Sequence, residues 1–126
     1  MATKKPKREY VEPPKDAIGR TWPTAVIGLG FHAFPSLQKI LREGDELVIV
    51  REPNNEHDAN AIAVYRETGW LIKNRQKIGF IPGSDAQEIA PIMDAGNRFT
   101  GVIDQIVRSK ELYMEGARLK IWFIRR

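Results

Sequence analysis

Residues 46–65 read ELVIVREPNNEHDANAIAVY. Two short apolar runs flank a cluster of turn formers. Leu47, Val48, Ile49 and Val50 predict a strand over Glu46 to Arg51, and a further strand is expected from Ala61 to Tyr65. Between them lies Pro53-Asn54-Asn55-Glu56-His57-Asp58. Pro presets one backbone angle, and Asn and Asp side chains bond the backbone two residues on, so this segment reads as a built turn.

Working outward, Thr24 to Gly30 is expected to be the first strand, with Ala25, Val26, Ile27 and Leu29 as its apolar run. Leu37, Ile40 and Leu41 fall at i, i+3, i+4 and predict a short helix from Pro35 to Arg42. On the other side, Thr68-Gly69 marks a turn, and Lys77 to Ile81 a fourth strand that Pro82-Gly83 stops. The period then changes. Ile89, Ile92 and Met93 predict a helix from Ser84 to Ala95, with Ser84 as its cap and Gly96 as its stop. Phe99 to Val107 and Leu112 to Arg125 read as two long strands around a turn near Ser109 to Glu111. The tally is about six strands and two short helices without βαβ alternation, which predicts a mainly β fold, a small SH3-like or OB-like barrel. Trp22, Trp70 and Trp122 are expected in its core or at its mouth.

The 126 residues suffice for one domain, placed at 21–126, after a basic N-terminal tail over 1–20 that reads first as a solvated, mobile arm and second as an arm that adds non-specific phosphate attraction. There is no cysteine, so neither a disulfide framework nor a thiolate metal site is possible. No run approaches the roughly 18–20 apolar residues of a membrane span, and no apolar segment follows the basic start as a secretory signal requires. A cytoplasmic or nucleoid-associated protein is expected. A net charge of +4 and a pI near 9.5 favour an anionic partner. No phosphate-binding GxxxxGK[ST] run is present.

The stretch from Val26 to Met93 resembles the HIRAN domain, found at the N-terminus of some eukaryotic fork-remodelling translocases and as a stand-alone protein in bacteria and phages. The resemblance rests on Arg51, Glu52, Pro53, Asn55, Asp58, Asn60, Ala61 and Ile62, followed by Ile78, Gly79, Phe80 and Ile81 in the family's order and spacing. It covers residues 24–108. It implies a DNA-binding module that grips a single-stranded end with a free 3′-hydroxyl, in DNA repair or replication-fork processing. It implies no catalysis and no cofactor, and a helicase, translocase or nuclease chain as a possible partner.

The resemblance also implies site residues. Phe31 and His32 stand where the family carries two base-stacking tyrosines. Asp58 stands where an aspartate contacts the terminal sugar hydroxyl. His57 replaces a frequent tyrosine, and its protonation is expected to strengthen binding at lower pH. Arg51, Asn55 and Phe80 belong to the same set, and Tyr113 in the last hairpin is a further aromatic candidate. Asn55 suits a structural and a binding role equally; Asn60 reads as a loop builder. Gly30 stands in place of an arginine, and Pro82-Gly83-Ser84 in place of a lysine-rich helix start, which removes phosphate contacts.

Two other readings compete. Aromatic residues beside an acidic one suit an SH3-like module that docks a peptide. His32, His57 and Asp58 offer a donor set for a metal-dependent nucleic-acid enzyme. Against the latter, neither HxH nor HExxH spacing occurs.

Overall fold

Alternation decides the sheet. In the run Glu46–Arg51, Leu47 and Ile49 turn to the core, while Glu46 is exposed and Val48 half-buried. The computed structural model describes residues 21–29, 32, 40–108 and 117–125. Its elements are β1 (Thr21–Val26), β2 (Glu46–Arg51), β3 (Ile62–Thr68), β4 (Asn74–Phe80), α1 (Gly83–Asp94), β5 (Phe99–Arg108) and β6 (Ala117–Arg125). The strands form one antiparallel sheet in the order β1-β6-β5-β2-β3-β4.

The core lies on one face. Leu47, Ile49, Ile62, Val64, Ile78, Phe99 and Ile103 from the strands meet Ala86, Ile89 and Ala90 of α1. Those three helix positions recur at helical spacing, so α1 buries one stripe and leaves the other wet. Thr24 donates its hydroxyl proton to Asp85 Oδ2, which ties β1 to the first turn of the helix. Val102, Trp122 and Ile124 make a smaller cluster from β5 and β6.

The mainly β expectation holds, but the sheet is not closed into a barrel. Bulges between Val64 and Tyr65 and between Ile103 and Gln105 coil it. Among the described residues, the one backbone bridge between its two edges is the pair Ile27–Phe80, just past the end of β1, with two hydrogen bonds of 2.8 and 2.9 Å. The chain leaves the edge at Gly28, so no ladder continues. Gly79 permits this approach: a Cβ there would collide with the Ile27 carbonyl oxygen.

Other expectations shift. α1 begins at Gly83 with Pro82 as its cap residue, and Ser84 makes no capping bond. Ala86 donates instead to the Pro82 carbonyl at 2.9 Å, and Gly96 donates to Met93 at the far end. Trp122 is buried as expected, but Trp70 is 89% exposed at the tip of the β3–β4 hairpin. The hairpin runs on past the core, so its tip stands clear of any apolar layer. α1 is the one helix among the described residues. The expected helix from Pro35 to Arg42, the tail over 1–20, the turn near Ser109 to Glu111, Phe31 and Tyr113 lie wholly or largely outside the described residues.

Candidate functional site

The loop between β2 and β3 is held by its own side chains. Asn55 donates its backbone N–H to the Glu52 carbonyl at 3.1 Å, closing a turn with Pro53 at its second position. Asn55 Oδ1 accepts from the N–H groups of His57 and Asp58 at 2.9 and 3.1 Å. Asp58 Oδ1 accepts from the Asn60 N–H at 2.8 Å. These are the short-range side-chain bonds that Asn and Asp make in turns.

Arg51 braces this loop from behind. Its guanidinium donates to the carbonyls of Ala61 at 2.8 Å and Ala59 at 3.1 Å, and forms a two-pronged pair with Asp94 at 2.9 and 3.1 Å. It thereby joins the loop to the end of α1. That neighbouring guanidinium holds the Asp94 carboxyl below its usual range.

On the other side, Asn55 Nδ2 donates to Glu52 Oε1 at 3.0 Å, and Lys77 Nζ donates to Glu52 Oε2 at 2.7 Å. The Lys77 ammonium lies 4.7 Å from the centre of the Phe80 ring and 5.6 Å from that of Tyr65. Its hydrogen bond lowers the Glu52 carboxyl from the ordinary value and raises the ammonium in turn. The His32 ring meets Phe80 edge-on at 5.6 Å. Partial burial, then the Lys77 charge, push the imidazole below its usual value, against an opposing pull from Glu52.

These elements enclose a cleft of about 260 Å³. Ile27, Ala61, Phe80 and Ile81 form its apolar wall, Asn55, His57 and Asp58 its polar rim, and Gly83 its helix-side lip. An ideal Cβ on Gly83 would lie 3.8 Å from Asp58 Oδ2. While Oδ1 is used within the loop, Oδ2 has no hydrogen-bond partner among the described residues. The cleft therefore combines a flat apolar surface with one acceptor oxygen at its edge.

Of the sequence candidates, Asn55, His57, Asp58 and Phe80 line the cleft, and His32 packs on Phe80. Arg51 is directed into the loop's scaffold rather than the cleft. Among the described residues, no three His, Cys, Asp or Glu side chains are grouped as a metal ion requires. Sequence reasoning missed Lys77 and the part Glu52 plays. The two residues are 25 positions apart and carry no local pattern to link them. It also missed the part in the cleft of Ile27, which reads simply as a strand residue, and of Ile81, which enters only through the family's pattern.

The family model for the HIRAN domain matches residues 23–116. A crystal structure of a protein from Lactobacillus plantarum is similar, with 25% identity and a TM-score of 0.61, over 82% of this chain and 92% of that one. The crystal structure of the HIRAN domain of human HLTF is similar in fold, with 20% identity and a TM-score of 0.59, over 83% of this chain and 74% of that one. No curated protein matches the chain. No helix among the described residues is long and apolar enough to cross a membrane.

Proposed function

This chain belongs to the HIRAN domain family, whose members are generally nucleic-acid-binding modules, and on that premise we propose that its cleft holds the 3′-hydroxyl end of single-stranded DNA. The observation that carries this reading is the Oδ2 of Asp58, without a hydrogen-bond partner among the described residues, beside an apolar cleft. A terminal base enters against Phe80, Ile27 and Ile81. Stacking on an aromatic ring contributes about 1–3 kcal/mol per base and requires an unpaired base. A free 3′-hydroxyl then donates to Asp58 Oδ2, a charge-assisted bond of about 1.5–3 kcal/mol. A 3′-phosphate lacks the donor and brings like charge to the same place.

His57 stands on the rim where a phosphate of the bound strand passes, and Phe31 and Tyr113 extend the stacking surface in this reading. The domain binds and does not catalyse. Processing of the DNA then belongs to a helicase, translocase or nuclease chain, in repair or at a fork. The deciding experiment is an anisotropy titration with 3′-hydroxyl, 3′-phosphate and circular single strands. Tight binding of the first alone supports end recognition. Equal affinity for all three makes the protein a general single-strand binder.

A further inference from the structure

Trp70, Leu71 and Ile72 are 89%, 83% and 78% exposed, three consecutive large apolar side chains at the tip of the β3–β4 hairpin. Single exposed apolar residues are ordinary on protein surfaces, but a contiguous group marks a contact. The turn that presents them is tightly specified. Gly69 has a φ of +99°, and a Cβ there would run into the Ile72 carbonyl oxygen.

The surroundings of the tip indicate its occupant. Arg66, Lys73, Arg75 and Lys77 stand on the same hairpin against one acid, Glu67, which pairs with Arg75 at 3.0 Å. Arg66 and Lys73 have no acidic partner among the described residues. The hairpin is also continuous with the cleft, because β4 starts beside the tip at Asn74 and ends at Phe80 in the cleft wall. At roughly 3.3 Å per residue these ends lie about 20 Å apart. That is the length of about six stacked nucleotides at roughly 3.4 Å each. Three side chains fall short of the roughly 800 Å² per partner that a stable protein dimer buries, which argues against a second copy.

We propose that this tip is a second DNA contact, in which Trp70, Leu71 and Ile72 stack on the terminal base pair of the duplex from which the gripped strand emerges. The inference rests on the end-binding reading given above. A terminal base pair offers a flat apolar face of the kind that aromatic and aliphatic wedges cover, and Arg66 and Lys73 flank it for the adjoining phosphates. The cleft and the tip would together measure the length of a 3′ overhang.

The test uses the full chain and two DNAs. One is a four-nucleotide single strand with a 3′-hydroxyl, which fills the cleft alone. The other is a duplex with a six-nucleotide 3′ overhang, which reaches the tip. The triple substitution Trp70→Ser, Leu71→Ser, Ile72→Ser is expected to weaken overhang binding about tenfold and leave the short strand unaffected. In a Trp70→Phe variant, the fluorescence quenching that accompanies overhang binding should largely disappear. Unchanged overhang affinity in the triple variant overturns the proposal, as does an equal loss on both DNAs. Failure of the wild-type chain to bind the short strand instead counts against the end-binding reading, and failure to bind either DNA overturns both. Vesicles of phosphatidylserine and phosphatidylcholine complete the experiment: vesicle binding lost in the triple variant, with overhang binding intact, assigns the tip to a lipid surface and overturns the DNA contact.

Discussion

Gly79 lies so close beneath the carbonyl of Ile27 that any Cβ would collide with that oxygen and come within 2.8 Å of Val26 Cγ1. The neighbouring obstacles are backbone and a β-branched side chain, neither of which can swing aside. Gly79→Ala should therefore cost about 2–3 kcal/mol. For a domain of this size, the melting temperature should fall by on the order of 10 °C in a circular dichroism melt. An unchanged melt would show that β1 and β4 do not depend on this approach.

Asp58 divides its oxygens between the loop and the cleft, so its two tasks can be separated. Asp58→Asn keeps an oxygen for the Asn60 N–H but removes the charge at the cleft edge. Its melting temperature should stay within about 2 °C of wild type, while the preference for a 3′-hydroxyl over a 3′-phosphate falls about tenfold. Asp58→Ala removes both functions and should lower stability as well. Retained end selectivity in the Asn variant would leave Asp58 a loop residue.

Arg51 donates to two loop carbonyls and to Asp94 through its guanidinium, and a hydrogen bond from a charged donor contributes about 1.5–3 kcal/mol. Arg51→Ala should cost about 2 kcal/mol in chemical denaturation. Arg51→Lys should recover only part of this, since an ammonium cannot reproduce the planar fork. DNA affinity should fall for every end chemistry alike. A selective loss for the 3′-hydroxyl strand would place Arg51 in direct contact with DNA.

The Glu52–Lys77 pair defines a pH window. Glu52 is held below its usual 4.5 and Lys77 above its usual 10.5, chiefly by the hydrogen bond between them. The unfolded carboxylate takes up its proton first as acid is added, so the stabilisation fades below about pH 4.5 and is lost through the lower folded value. On the alkaline side it is complete below pH 10.5 and fades as pH rises through the raised folded value of Lys77. Both side chains are partly exposed, and Glu52→Gln should cost about 1 kcal/mol near neutrality. The variant should also show a shallower acid limb in a plot of stability against pH. An acid limb identical to wild type would remove this pair from the account.

His32 gives a separate signal. Its imidazole is held below the usual 6.5, so the folded state resists its protonation. Stability from this source is present above pH 6.5 and is lost as pH falls through the folded value. His32→Phe should flatten stability between pH 7 and pH 5 in melts at fixed salt.

Where side chains alternate against a core, the sequence is legible. Glu46–Arg51 is read with its true ends because Leu47 and Ile49 alternate with outward residues. The β3–β4 hairpin reads short, at Ala61 to Tyr65 and Lys77 to Ile81. The segments beyond, Arg66-Glu67-Thr68 and Asn74-Arg75-Gln76, pair in register but lie past the core, where no apolar period marks them. β1 starts earlier than expected, with Pro23 inside it, because an edge strand tolerates a residue that cannot donate. The failure of the sheet to close is invisible in sequence, since it turns on one bridged pair and one glycine. At the site, the Asn55–Asp58 turn is local and could be read; the Glu52–Lys77 link is made only by the fold.

The seam between β1 and β4 has a kinetic consequence. Ile27 and Phe80 carry both of its hydrogen bonds and also form part of the cleft wall. A ligand seated there fastens the two free edges to each other from outside. Amide protons at these two positions should exchange with solvent rapidly in the empty protein and slowly in the occupied one, far more than those in the centre of the sheet. Occupancy would thus be recorded in the sheet as a loss of breathing at its rim, and the DNA would serve as a removable rivet.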